Sequence, residues 1–122
     1  MILIDTNILI EIYRNNSSII ETVKTIGQGN IAVSDITCAE MLYGARNKKE
    51  LQLIAKDLSK LQTLSIDVQI SKDAVVLVEK YALSHKLSIP DALIAATALN
   101  YDIPLYTLNV KDFVFIKGIQ LY

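Results

Sequence analysis

Ile2-Leu3-Ile4-Asp5-Thr6-Asn7 runs three aliphatic residues straight into three polar ones. Side chains on a strand alternate between its two faces, so an unbroken apolar run means that both faces are covered. Such a strand belongs in a parallel sheet with helices above and below it, and Asp5 marks where it stops. The same pattern recurs along the chain. Ile31-Ala32-Val33 is a second apolar run, Leu64-Ser65-Ile66 reads as a third strand, Pro104-Leu105-Tyr106-Thr107 as a fourth, and Ile119-Gln120-Leu121 as a candidate fifth at an edge.

Helical segments fill the intervals. One follows Asp5 through Tyr13, and a second runs from the cap cluster Asn15-Asn16-Ser17-Ser18 to Gly27-Gln28-Gly29. Further helices are expected over Ser34 to Gly44, over Lys48 to Gln62 with Leu51, Ile54, Leu58 and Leu61 on one stripe, and over Ser71 to Lys86 with Ala74, Val75, Val78, Tyr81 and Ala82 on another. Pro90 suits the first turn of a helix, and Asp91 to Asn100 is apolar nearly all round, Thr97 excepted, so that helix is expected to be central. Strands separated by helices of this length imply right-handed crossovers. The expected fold is α/β in three layers, a mainly parallel sheet of four to five strands with helices on both faces.

The chain's 122 residues, without repeat, linker or charge block, read as one domain, 1–122. Hydrophobic residues make up 52% and charged residues 20%, and mean hydropathy is +0.35, which excludes a disordered or low-complexity chain. No apolar run is long enough to span a membrane, and Met1-Ile2-Leu3-Ile4-Asp5 has neither a basic leader nor a small-residue cleavage site. The single cysteine, Cys38, sits in an apolar run and reads as a packed thiol rather than a redox centre. A reducing cytoplasm is the expected compartment. A formal net charge of −1 gives no global basic field, so any nucleic-acid binding must use local patches.

Sites in open parallel sheets form beyond the C-terminal ends of the strands. Three acids map to that edge. Asp5 ends the first strand, Glu40 lies early in the helix after the second, and Asp91 opens the apolar helix before Pro104 to Thr107, where Asn109 or Asp112 follows as a fourth oxygen donor. Gathered carboxylates repel one another, and hard divalent cations relieve the repulsion. Oxygen donors without His or Cys favour Mg²⁺ or Mn²⁺ over zinc. Each acid also has a plainer reading. Asp5 and Asp91 suit helix starts, and Thr37-x-x-Glu40 matches a capping box.

Other features carry less. His85, the only histidine, stands in the polar triplet Ser84-His85-Lys86 and reads as a solvated side chain. No phosphate loop, dinucleotide fingerprint, nucleophile elbow or C-x-x-C is present. Arg14, Arg46, Lys48 and Lys49 form a candidate basic rim or an ordinary charged surface. A phosphotransfer receiver shares the α/β plan, but Asp67 is its one candidate phosphoacceptor and no acidic pair follows the first strand.

Four segments together resemble a known family. Ile-Leu-Ile-Asp-Thr-Asn-Ile-Leu-Ile at 2–10, Val-Ser-Asp-Ile-Thr-Cys-Ala-Glu-Met-Leu-Tyr-Gly-Ala at 33–45, Ile-Pro-Asp-Ala-Leu-Ile-Ala-Ala-Thr-Ala at 89–98 and Tyr-Thr-Leu-Asn-Val-Lys-Asp-Phe at 106–113 resemble the PIN domain, in particular VapC-type toxins of toxin–antitoxin pairs. The resemblance spans nearly the whole chain and implies a PIN-like three-layer sandwich and a Mg²⁺- or Mn²⁺-dependent endoribonuclease that stops translation by cutting tRNA or ribosomal RNA. It implies Asp5, Glu40 and Asp91 as catalytic metal ligands. The family's fourth acidic position falls on Asn109, with Asp112 as a substitute, and Thr6 and Thr107 match the polar residues beside the site. A homodimer and a VapB-like antitoxin seated in a groove by the acids are implied as partners, with Leu42, Tyr43 and Leu51 as candidate groove residues. A non-catalytic RNA- or protein-binding module of the same fold is the alternative.

Overall fold

The computed structural model describes all 122 residues. Strands β1 (Ile2–Ile4), β2 (Ile31–Ser34), β3 (Gln62–Leu64) and β4 (Leu105–Tyr106) form one sheet in the order β3-β2-β1-β4. Every pairing is parallel: Leu3 stands opposite Ala32 on one side and Leu105 on the other, and Ser34 stands opposite Leu64. The expected fifth strand reduces to a single parallel bridge between Leu105 and Leu121.

Strand alternation divides the interior in two. Leu3, Ala32, Leu64 and Leu105 face a core completed by α5 (Val68–His85), α6 (Ile89–Tyr101) and the segment holding Phe113 and Ile116. Ile4, Ile31, Val33 and Tyr106 face the opposite core, completed by α1 (Thr6–Tyr13), α2 (Ser17–Ile26), α3 (Asp35–Tyr43) and α4 (Lys48–Leu58). The unbroken apolar runs of β1 and β2 thus have a cause, since each strand supplies side chains to both cores. Helix α6 is sheathed almost completely: Ala92, Ile94, Ala95, Ala96, Thr97 and Ala98 are all buried. Thr97 fits because its hydroxyl donates to the Leu93 carbonyl at 2.7 Å.

Side chains that satisfy first-turn N–H groups set the helix starts. Asn16 accepts from Ile19, Ser34 from Ile36, Asn47 from Glu50, Asp67 from Ile70 and Ser88 from Asp91. These caps correct several expected boundaries. Helix α5 begins at Val68 rather than Ser71 because the Asp67 carboxylate caps it at 2.8 Å. Asp67 is therefore a helix cap, which removes the one residue that supported a receiver. Ser34 caps α3, so Thr37 and Glu40 form no capping box there. Helix α4 stops at Leu58, short of Gln62, and β3 begins two residues before the expected Leu64. As an edge strand β3 exposes Gln62 and Thr63 and buries only Leu64, a pattern that read as the tail of a helix. Leu51 and Val75, placed on buried stripes by their spacing, are 42% and 66% exposed.

Cys38 is half-buried near Thr63, and burial pushes its thiol pKa up, away from reactivity. No helix is long and apolar enough to cross a membrane.

Strand order places a topological switch at β1. Successive crossovers step from β1 to β2 to β3, and the connection through α5 and α6 then returns the chain to the far side of β1. The crevice beyond the ends of β1 and β4 is where a parallel sheet opens to a ligand. Phe113, fully buried, anchors the segment that follows β4. Phe113→Ala is expected to lower stability by about 3–5 kcal/mol, read as a fall of roughly 10 °C or more in melting temperature by circular dichroism.

Candidate active site

Asp5 leaves β1 at this switch and begins α1. Asp5 as a residue is 5% exposed, an expensive position for a charge unless it is well bonded. One oxygen, Oδ1, accepts from the Thr6 N–H at 2.7 Å. The other, Oδ2, accepts from the Thr107 hydroxyl at 2.8 Å and the Asn7 amide at 3.2 Å. Asn7 also donates to Thr107 Oγ1 at 3.2 Å and accepts the Leu108 N–H, while the Asn109 N–H donates to the Thr107 hydroxyl. A polar lattice therefore joins the first residues after β1 to the first residues after β4.

Glu40 enters from α3. The Thr6 hydroxyl donates to Glu40 Oε1 at 2.8 Å and lies 3.1 Å from the Thr37 hydroxyl. Asp91 enters from the first turn of α6, whose start is fixed by Ser88. Asp112 enters from the 3-10 turn Val110–Asp112.

The four acids lie within one another's fields. Burial is the main cause that raises the Asp5 pKa above its ordinary value, with Glu40 and Asp112 adding to it against the bonds from Thr107 and Thr6. Asp91 is pushed up to about 6, first by burial, then by the Asp5 charge, with smaller contributions from Asp112 and Glu40 and an opposing bond with Ser88. A carboxyl group that takes up protons near pH 6 sits in a place short of positive charge.

The structure thus brings Asp5, Glu40 and Asp91 together, with Thr6 and Thr107 bonded to them. Asn109 and Asp112 part company. The Asn109 side chain is exposed and forms no hydrogen bond, whereas half-buried Asp112 lies in the field of Asp5 and Asp91. Spacing after Thr107 did not separate the two, because the turn that carries Asp112 inward is set by tertiary packing of Phe113. Asn7 and Ser88 were not foreseen as site residues. The signal was present in the polar run Asp5-Thr6-Asn7 and in a serine three residues before Asp91.

As a metal site the donor set is all oxygen, of the kind hard divalent cations take. No three acidic side chains close into a tight cage. Mg²⁺ and its neighbours keep several waters and take one or two carboxylates directly, so a closed cage is not a requirement for them.

Beside Glu40 lies an open groove of about 610 Å³ between α1, α3 and α4, lined by Ile10, Tyr13, Met41, Leu53 and Ile54 and flanked by Arg14 and Arg46. The expected groove residues Leu42, Tyr43 and Leu51 are not among its walls. Leu42 packs on the core, Tyr43 is 94% exposed, and Leu51 points elsewhere on α4, because the face of α3 toward the groove is that of Glu40, Met41 and Gly44. Arg46 is bound to Glu50 at 2.9 Å and Arg14 to Glu11 at 3.5 Å, while Lys48 and Lys49 stand away from the groove.

The chain is similar to known proteins along nearly its whole length. The PIN domain model matches residues 2–114. Ribonuclease VapC1 of Rickettsia felis is 30% identical, over 98% of this chain and 93% of that protein. Ribonuclease VapC19 of Mycobacterium tuberculosis is 31% identical, over 98% of each. Among solved structures, a toxin–antitoxin complex from Klebsiella pneumoniae superposes with a TM-score of 0.82 at 32% identity, covering 98% of this chain and 95% of that one. Matched by the PIN domain over nearly its whole length and 30–31% identical to VapC ribonucleases, the chain belongs to the PIN domain family, among the VapC ribonucleases.

Proposed function

We propose that the chain is a divalent-metal-dependent endoribonuclease toxin that hydrolyses phosphodiester bonds in tRNA or ribosomal RNA. The carrying observation is the convergence of Asp5, Glu40, Asp91 and Asp112 with no basic side chain paired to any of them, a cluster whose mutual repulsion a cation would relieve. Asp5, Asp91 and Glu40 would hold Mg²⁺ or Mn²⁺, with Asp112 rather than Asn109 as the fourth acid. Such an ion, when bound, lowers the pKa of a water and offsets charge on the phosphate oxygens.

The chain's own groups prepare the site. Thr107, Asn7 and the Thr6 N–H fix both oxygens of Asp5, and Thr6 fixes one oxygen of Glu40. A carboxylate oxygen of the cluster left free of the ion would accept the proton of an attacking water.

The apolar groove beside Glu40, with arginines at its rim, suits an antitoxin segment that lays aliphatic side chains against Ile10, Met41 and Leu53, and a solved structure of similar fold is a toxin–antitoxin complex. Exposed Val75 and Ile89 border an apolar cleft between α5 and α6 that suits a second copy, giving a homodimer. A cytoplasmic location is the reading that an RNA substrate and an unpaired Cys38 support.

Asp91→Asn is expected to reduce Mn²⁺-dependent cleavage of total RNA at least 100-fold while the variant stays folded; parental cleavage would refute the assignment. Thr107→Val leaves Asp5 short of a donor and is expected to cost about 1–3 kcal/mol of stability and to slow cleavage about tenfold or more, measured by melting and by initial rates. The third expectation concerns pH. Asp91 holds its proton more tightly folded than unfolded, so the stability this gives is complete below about pH 3.8 and lost as pH rises through about 6. In EDTA, Asp91→Asn should therefore melt a few degrees above the parent at pH 7, about 1 kcal/mol once the half-open position of the side chain is allowed for, and the difference should vanish at pH 4. Added Mn²⁺ should raise the melting temperature of the parent and not of the variant.

A further inference from the structure

The acidic site repels the phosphates it is meant to receive, so an RNA needs a cationic hold outside it. One surface provides this. From Lys80 to Pro90 and from Phe113 to Tyr122 the chain carries three of its twelve basic residues and none of its thirteen acidic ones. The fold joins these two segments. Tyr81, nearly buried at the end of α5, accepts the Lys117 N–H at 3.3 Å and meets the Phe115 ring edge-on at 5.1 Å. The His85 imidazole lies flat on Phe115, with centroids 4.0 Å apart and planes within 5°, and is itself exposed. The Lys80 ammonium sits 5.4 Å from the Tyr81 ring centroid. Exposed Lys86 and Lys117 complete the cluster. Both of the chain's ion pairs lie elsewhere, on Arg14 and Arg46, so Lys80, Lys86 and Lys117 have no acidic partner.

The cluster is close to the site. Phe115 follows Asp112 by three residues, which limits their Cα separation to about 11 Å, and Lys86 precedes the Ser88 cap of the Asp91 helix by two.

Resting on the nuclease reading, we propose that His85, stacked on Phe115 and flanked by Lys80, Lys86 and Lys117, docks a single-stranded stretch of the RNA substrate beside the cleavage site. The lysines attract phosphates, and the open face of His85 offers a stacking platform that an unpaired base can use and a base inside a duplex cannot. The platform is pre-formed, since Phe115 and Tyr81 already hold the imidazole in place.

The test is binding without turnover. Fluorescence anisotropy in EDTA would compare a labelled single-stranded oligouridylate of about twelve nucleotides with an RNA duplex, on the parent, Lys86→Ala/Lys117→Ala and His85→Ala, each checked by its melting curve. The double variant is expected to bind the single strand about tenfold more weakly, with a salt slope smaller by about 1.4, the value for two lost phosphate contacts. His85→Ala should weaken the single strand about fivefold or more without changing the slope, and duplex binding should be the weaker in the parent. Folded variants that bind like the parent overturn the proposal, as does loss of a dimer with RNA affinity retained, which would assign the surface to a second copy. Mn²⁺-dependent cleavage by the parent with no effect of these variants on binding leaves the nuclease standing and removes the platform; patch-dependent binding without any cleavage does the reverse.

Discussion

A negative charge buried at the end of a strand is the constraint around which this molecule is arranged. Asp5 is held there by a backbone N–H, an amide and a hydroxyl, and the hydroxyl comes from the far strand of the switch. That bond makes the site a property of the sheet rather than of a loop. The parallel register that sets Leu3 opposite Leu105 also sets Asp5 beside Thr107, so the meeting of these two is fixed by backbone pairing, while Glu40 and Asp91 arrive on α3 and α6. Loops add to the set only by Asp112.

The arrangement works against stability. Four carboxyl groups in partial burial raise the proton affinity of two of them, and no basic side chain of the chain is paired with any of the four. The compensation lies below the site, where two apolar cores meet the two faces of a short sheet and α6 is buried along nearly its whole length. An enzyme of this kind keeps its electrostatic strain at one rim and its packing everywhere else.

Much of the fold was legible in Ile2-Leu3-Ile4, because a strand serving two cores has no room for a polar face. The central helix was equally legible from Ile89 to Ala98, whose one polar core residue bonds its own turn. Legibility failed at the edge. Gln62 and Thr63 carry no apolar signal because β3 has a neighbour on one side only, and the start of α5 was missed because a cap at Asp67 resembles an acid at a strand end. In the site, the residue types of Asp5, Glu40 and Asp91 were readable, but the choice between Asn109 and Asp112 depends on how Phe113 seats the turn before it. The groove residues failed for a related reason: spacing gives the phase of a helix relative to itself, and which neighbour faces which side is settled by packing.

The bond between Asp5 and Thr107 spans a sequence separation of 102 residues. During synthesis from the amino end, the first acid therefore waits for almost the entire chain before its partner strand exists, an interval of roughly 5–20 s at ribosomal rates. Until β4 pairs with β1, Asp5 lacks the hydroxyl that orients it. The acidic cluster is therefore a late product of synthesis, closed only once its two most distant segments have met.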